Sequence, residues 1–286
     1  MISIIIPTYN RASILLKTLP SYLAQENVSE IIIVDDGSTD STEEVVNKFQ
    51  SNIDIRYFKH SSHKGAASAR FTGINAAKNQ YIVFGEDDVI FDNDYVSTLY
   101  NDMIAINADI IAGRIIYLNE NESHEDAVLR YNNLNKSLIN YNRLIGEFGL
   151  NIPNLTEVPF VHACFLAKKE VYSKMEYDVN YPGNGFREET DPQILALIAG
   201  RKIIFTPNTC CYHLPRPSVR TGGQRMSDLK IAYWTTRNNI YFLKKHHAKL
   251  AQRYNLRPLW MMILGGISFP WRGFLHRRNW RTLFQR

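Results

Sequence analysis

No acidic residue occurs after Asp228 in this 286-residue chain, yet the last 58 positions hold 12 of its 33 lysines and arginines. The first 228 residues carry 21 basic and 28 acidic side chains, a net −7, so the overall +5 comes from the tail alone. An acidic body with one cationic end suits a protein that lies on an anionic surface. Cysteine is scarce as well: Cys210 and Cys211 are adjacent, Cys164 is remote, and no pair has zinc-ligand spacing. They read as buried structural thiols in a reducing compartment. Long apolar runs are missing too; Pro258 to Trp271 is 14 residues, interrupted by Gly265-Gly266 and Pro270, whereas a spanning helix needs about 20. The start, Met1-Ile2-Ser3-Ile4-Ile5-Ile6 broken by Pro7, has no basic n-region and no small-residue cleavage site. A cytoplasmic location is therefore expected. Repeats and low-complexity tracts are absent, and 45% hydrophobic with 21% charged residues fits a globular enzyme.

What is present alternates strand and helix. Ser3 to Ile6, Ile31 to Val34, Ile55 to Phe58 and Tyr81 to Phe84 are short apolar runs, predicted as strands of a mostly parallel sheet. Between them, Ala12 to Gln25 has helical spacing with Pro20 expected to kink or split it, Ser41 and Glu44 offer a capping box, and Gly65 opens a small-residue helix to Lys78. Ligands bind at the carboxyl ends of such strands, where Thr8, Tyr9, Asp36, Asp87 and Asp88 would gather. Glu86-Asp87-Asp88 is the most telling stretch: three carboxylates after a buried strand either form an acidic turn or meet a hard divalent cation, Mg²⁺ or Mn²⁺.

Further on, a helix to about Asn107, strands near Ile110 to Leu118, Phe160 to Ala167 and Lys202 to Thr206, and a helix begun by Pro192 are expected. Residues 119 to 157 contain nine asparagines and only loose helical patterning, which marks part of an acceptor site or a lid. Glu188, Glu189 and Asp191 sit just before a helix N-terminus and supply a candidate general base, the alternative being an acidic cap.

The runs Ile4-Ile5-Ile6-Pro7-Thr8-Tyr9-Asn10-Arg11, Ile33-Val34-Asp35-Asp36-Gly37-Ser38-Thr39-Asp40, Gly65 to Gly73 with Ala69-Arg70, Glu86-Asp87-Asp88, and Phe186-Arg187-Glu188-Glu189-Thr190-Asp191 together resemble family 2 glycosyltransferases of the GT-A type, over about residues 2 to 247. The resemblance implies a Rossmann-like α/β fold, with residues 1–228 as the transferase domain, about 1–107 binding the nucleotide sugar and 108–228 the acceptor; the charge asymmetry marks 229–286 as a helical basic extension. It implies an inverting enzyme that uses a UDP-, GDP- or dTDP-sugar. Pro7, Thr8, Tyr9, Asn10, Asp36 and Asp87 would line the donor, with Tyr9 on the base and Asp36 accepting from it. Asp88, Asp87 and His213 would hold the metal. Lys64 and Arg70, and Arg220 and Arg225 on a glycine-hinged loop, would meet phosphate or else be solvated cations. The family's acidic pair is usually Glu-Asp and here is Glu-Glu, so Glu189 is the expected base with Glu188 and Asp191 still in play. His162 falls where family members approach the donor sugar, or is a core histidine.

A sugar nucleotidyltransferase would share the fold but should carry a Gly-rich basic loop where Pro7-Thr8-Tyr9-Asn10 stands. An inactive scaffold would tolerate loss of the acids that are all retained. The tail places Trp260, Trp271 and Trp280 among Arg253, Arg257, Arg272, Arg277, Arg278, Arg281 and Arg286, the composition of a segment in the headgroup region. Peripheral contact through 253–286 at the cytoplasmic face, a glycan or lipid-linked acceptor and no specific nucleic acid are the corresponding expectations.

Overall fold

A computed structural model describes residues 1–49, 51–172, 178–219 and 226–267. Strands β1 (Ile2–Thr8), β2 (Val28–Asp35), β3 (Asp54–Lys59) and β4 (Tyr81–Phe84) lie parallel in the order β3-β2-β1-β4. Their apolar runs are unbroken because both sheet faces are covered: Ile4, Ile5, Ile6, Ile31, Ile32 and Ile33 are all fully buried. Each contributes about 1.5–3 kcal/mol on burial. Helices α1 (Ala12–Leu23), α2 (Thr42–Lys48) and α3 (Ala66–Ala76) make the crossovers. The chain leaves β1 towards β2 on one side and returns to β4 on the other, so the carboxyl ends of β1 and β4 flank a switch point.

The second half extends the same sheet. β10 (Leu166–Lys168) runs antiparallel between β4 and β6 (Ile110–Tyr117); β11 (Ile203–His213) is parallel to β6, and β5 (Val89–Phe91) and β9 (Thr156–Glu157) pair antiparallel with β11. Among the described residues this makes a mixed, mostly parallel nine-stranded sheet. Helix α4 (Tyr95–Ala105) packs on β6 and β11. The asparagine-rich segment folds into α5 (His124–Asn132), capped by the Ser123 hydroxyl on the Asp126 amide, and a hairpin of β7 (Ile139–Asn140) and β8 (Ile145–Gly146). Helices α6 (Lys169–Tyr172), α7 (Thr190–Ile198) and α8 (Asp228–Tyr254) follow; α8 buries Phe242, Leu243 and Leu250 in the same core as the sheet.

Four local expectations change. α1 runs through Pro20 without splitting, since Pro20 is exposed and Leu16, whose carbonyl loses its donor, is 51% exposed, within reach of water. The Ser41 side chain makes no cap; the Asp40 carboxylate instead accepts from the Thr42 amide and hydroxyl, and also from the first amide of α1, at Ala12. The strand predicted over Phe160 to Ala167 is shortened to β10, because Val161 is held by Gln193, whose amide group both donates to its carbonyl and accepts from its N–H. β5 was not anticipated: only three residues long, it is too short to show a period.

Candidate active site

The carboxyl ends of β1, β2, β4 and β11 meet at one edge, and α1 fixes the backbone there. The Tyr22 hydroxyl donates to the Glu86 carbonyl and accepts from the Glu86 amide, and the Thr18 hydroxyl donates to the Asp87 carbonyl. The Leu214 amide donates to the Asp88 carbonyl, which brings His213 alongside. Asp88 is 4% exposed, and its Oδ1 lies 3.5 Å from His213 Nε2. Arg11 Nη1 reaches Asp88 Oδ2 at 2.8 Å and Asp87 Oδ1 at 3.2 Å. Burial raises the Asp87 carboxyl to about 7 even though Arg11 opposes the shift. Arg11, the last residue of the first motif, neutralises buried Asp88 and partly buried Asp87.

The Asp36 carboxylate, also buried, is fixed by four groups. It accepts from the amides of Lys64 and Gly65 and pairs with His60 Nδ1 and His63 Nδ1, each at 2.7 Å. His60 is itself held by Thr72. Tyr9 stacks on the His63 ring, centroids 4.2 Å apart. Asn10, at φ 52°, clamps the two loops: its amide donates to Ser38 and its side-chain oxygen accepts from the Thr39 amide. Gly37 takes φ 84° with the Ser62 backbone 2.9 Å from where a Cβ would stand, so this turn admits only glycine. Thr8 is buried and Pro7 partly so, both within β1. The Lys64 side chain is exposed. Sequence reasoning missed His60 and His63; the signal was the histidine pair just ahead of Lys64-Gly65.

Arg70 is not turned outward as a phosphate ligand would be. It is 3% exposed, ion-paired with Glu188 and 3.3 Å from Glu86. One guanidinium therefore joins the acidic end of β4 to the second acidic cluster. Burial pushes Glu188 up to about 7, with Arg70 opposing and Glu189 and Glu86 reinforcing the shift. Its Oε2 is buried without a hydrogen-bond partner. Glu189 is the N-cap residue of α7 and is half-buried. Asp191 is withdrawn: 1% exposed, it accepts from the Tyr181 hydroxyl at 2.7 Å, Lys245 at 2.9 Å and His246 at 2.6 Å. Burial would raise this carboxyl, but those donors together hold it below the ordinary range. It fastens α7 to α8 and drops out as a base.

The raised Glu188 gives a stability test. In the unfolded chain it titrates at about 4.3, so between that pH and about 7 the folded protein binds the extra proton and stability falls as pH rises. Glu188→Gln removes this penalty. The variant's stability relative to wild type should shift in its favour by about 2–4 kcal/mol between pH 5 and pH 8, read by urea unfolding. Parallel pH profiles would contradict it.

His162 is settled as a core histidine. Its Nε2 donates to the Gly113 carbonyl at 2.9 Å, its Nδ1 accepts from the Cys164 amide, and burial lowers it to about 4. With Cys164 and Cys211 it forms the one group of three ligand-type atoms within 4.8 Å of one another among the described residues. That group does not suit a metal: both imidazole nitrogens are committed, and burial raises the Cys164 thiol well above its usual range. Asp88, Asp87 and His213 offer the hard oxygens and imidazole that Mn²⁺ or Mg²⁺ takes, but their ligand atoms do not all lie within 4.8 Å of one another. A cationic guanidinium already bridges the two carboxylates. Arg220 and Arg225, with the Gly222-Gly223 hinge, lie outside the described residues.

The sequence profile of Glycosyl transferase family 2 matches residues 3–175. The chain belongs to that family. GlyG, a glycosyltransferase of Streptococcus pneumoniae, is 26% identical over 230 residues, covering 77% of this chain and 72% of that protein. Seven further curated relatives are longer, and this chain spans 14% to 24% of their length. Among solved structures, S. aureus TarS 1–349 with UDP superposes with a TM-score of 0.60 at 14% identity, over 85% of this chain and 65% of that one. The Pyrobaculum calidifontis mannosyltransferase PcManGT with GDP-Man and Mn²⁺ gives 0.59 at 15%, over 94% and 69%. The fold is the GT-A type of glycosyltransferases, as the motifs implied.

Proposed function

We propose that the protein is an inverting, divalent-cation-dependent transferase moving a sugar from a nucleoside diphosphate to an acceptor hydroxyl. The observation that carries this reading is Arg70, which ties Glu86 beside Asp87-Asp88 to Glu188 beside Glu189, so that a donor edge and a base belong to one site. Tyr9 stacks on the base and Asp36 accepts from it. In the structure His63 makes both of those contacts, stacking on Tyr9 and bonding Asp36, and the incoming base takes its place. That exchange is cheap because the His63 side chain is 53% exposed. A Mn²⁺ or Mg²⁺ held by Asp88, Asp87 and His213 would offset charge developing on the leaving diphosphate. Arg11 neutralises the remaining charge of the two aspartates. Glu189, at the mouth of α7, removes the acceptor proton as the anomeric centre gains oxocarbenium character. Arg70 and Glu188 hold the base in register, and Asp191 anchors its helix to α8.

The acceptor is a glycan of a lipid-linked or polysaccharide precursor, reached by peripheral contact of 253–286 with the cytoplasmic face of a membrane. The cation-rich, acid-free tail supports this. Among the described residues no helix is long and apolar enough to cross a bilayer. The test of the donor reading is thermal shift with UDP, GDP and dTDP, each with and without Mn²⁺. One nucleotide should raise Tm, and more with Mn²⁺ than without, because a ligand stabilises the state it binds. No shift with any of the three would overturn it.

A further inference from the structure

α8 ends at Asn255 in the left-handed conformation (φ 48°), and the chain turns into a second helix over 259–267. The carbonyl of Pro258 accepts from the amides of Met261 and Met262 in its first turn, and His247 Nε2 donates to the Arg257 carbonyl, tying the connector back to α8. This helix has two unlike faces. Met262 is 1% exposed and belongs to the main core, and Gly266, four residues on, approaches α8 so closely that a Cβ would stand 2.4 Å from Asn239 Nδ2. On the other side Trp260 is 60% exposed, Met261 41% and Leu264 58%. Leu264 is the i+4 neighbour of Trp260 and the i+3 neighbour of Met261, so the three lie side by side on the helix surface. The helix is thus anchored to the domain by its inner face while its outer face is a bare apolar ridge.

A bare ridge alone names no partner; the surrounding charge does. No acidic residue follows Asp228. Lys244, Lys249 and Arg257 are exposed with no ion-pair partner among the described residues. A protein partner's surface would ordinarily be met by charges of both signs, whereas a chain segment with cations and no acids on either side of Trp260, Met261 and Leu264 complements anionic headgroups over acyl chains. Among the described residues no helix is long and apolar enough to cross a bilayer.

We propose that Trp260, Met261 and Leu264 insert into an anionic lipid surface, with Lys244, Lys249 and Arg257 meeting its headgroups. This rests on the membrane-facing part of the proposed function and deepens it: the contact is made by a docked, preformed helix rather than by the extreme C-terminus alone. A preformed ridge loses little conformational freedom on insertion.

The test is co-sedimentation of the full chain with vesicles of phosphatidylcholine alone or with phosphatidylglycerol added, at low and high salt. The native protein should pellet with the anionic vesicles at low salt, release as salt screens the cations, and show a blue-shifted tryptophan emission. The triple variant Trp260→Gln, Met261→Gln, Leu264→Gln should bind at least about tenfold more weakly with unchanged Tm, because all three side chains face solvent. Equal binding by the variant, no binding by the native protein, or a ridge-dependent dimer in light scattering would overturn the proposal. The nucleotide shift, measured on the same samples without lipid, keeps the transferase reading separately testable.

Discussion

Replacing Glu189 with glutamine is expected to cut sugar transfer by about 10²–10⁴-fold in kcat, the usual effect of removing a positioned general base. Nucleotide affinity in Mn²⁺ should stay within about twofold of wild type, since Glu189 is bonded to none of the donor-side residues. The side chain is half-buried at the cap of α7, with the Thr190 hydroxyl at 3.5 Å its one side-chain partner among the described residues, so the amide fits without leaving a buried charge unpaired. Glu188→Gln differs in kind. It removes the carboxylate facing a buried Arg70, so any lost activity should come with a change in stability. If Glu188→Gln lost transfer at unchanged stability while Glu189→Gln stayed active, the base would lie one residue earlier.

Much of this was legible in the sequence, and the reasons differ by region. The four parallel strands announced themselves because strands buried on both faces must be continuously apolar, and Ile4-Ile5-Ile6 and Ile31-Ile32-Ile33 are. Their acidic ends could be assigned to one edge because parallel strands point the same way. The pairings of side chains across that edge could not. Nothing local says that Arg70 spends its guanidinium on Glu188, 118 positions away, or that Asp191 turns to Lys245 and His246 of α8. Such contacts are set by how α3, α7 and α8 pack, and sequence spacing carries no record of them. His63 illustrates the same limit from the other side: an exposed histidine in a polar loop has no periodic signal, yet it fills the place between Tyr9 and Asp36. The segment from 119 to 157 shows only a loose helical pattern because its helix α5 has a polar surface, with Ala127 and Tyr131 facing inward.

Asp88→Asn should have the largest effect on cation-dependent binding. Asp88 is buried, and its Oδ2 accepts from Arg11 while its Oδ1 faces His213, so asparagine preserves the volume while removing the charge a divalent ion needs. Arg11 keeps Asp87 as a partner at 3.2 Å, which spares the variant an orphaned buried guanidinium. The central claim is that a divalent cation and a nucleoside diphosphate bind together at this edge. The measurement that tests it most directly is calorimetric titration of the stabilising nucleotide into native and Asp88→Asn protein, with Mn²⁺ and then with EDTA. The account predicts that Mn²⁺ tightens binding to the native protein by about 10²-fold or more, as expected for a cation clamping phosphate oxygens, and leaves the variant no tighter than in EDTA. Equal Mn²⁺ enhancement in both proteins would contradict it.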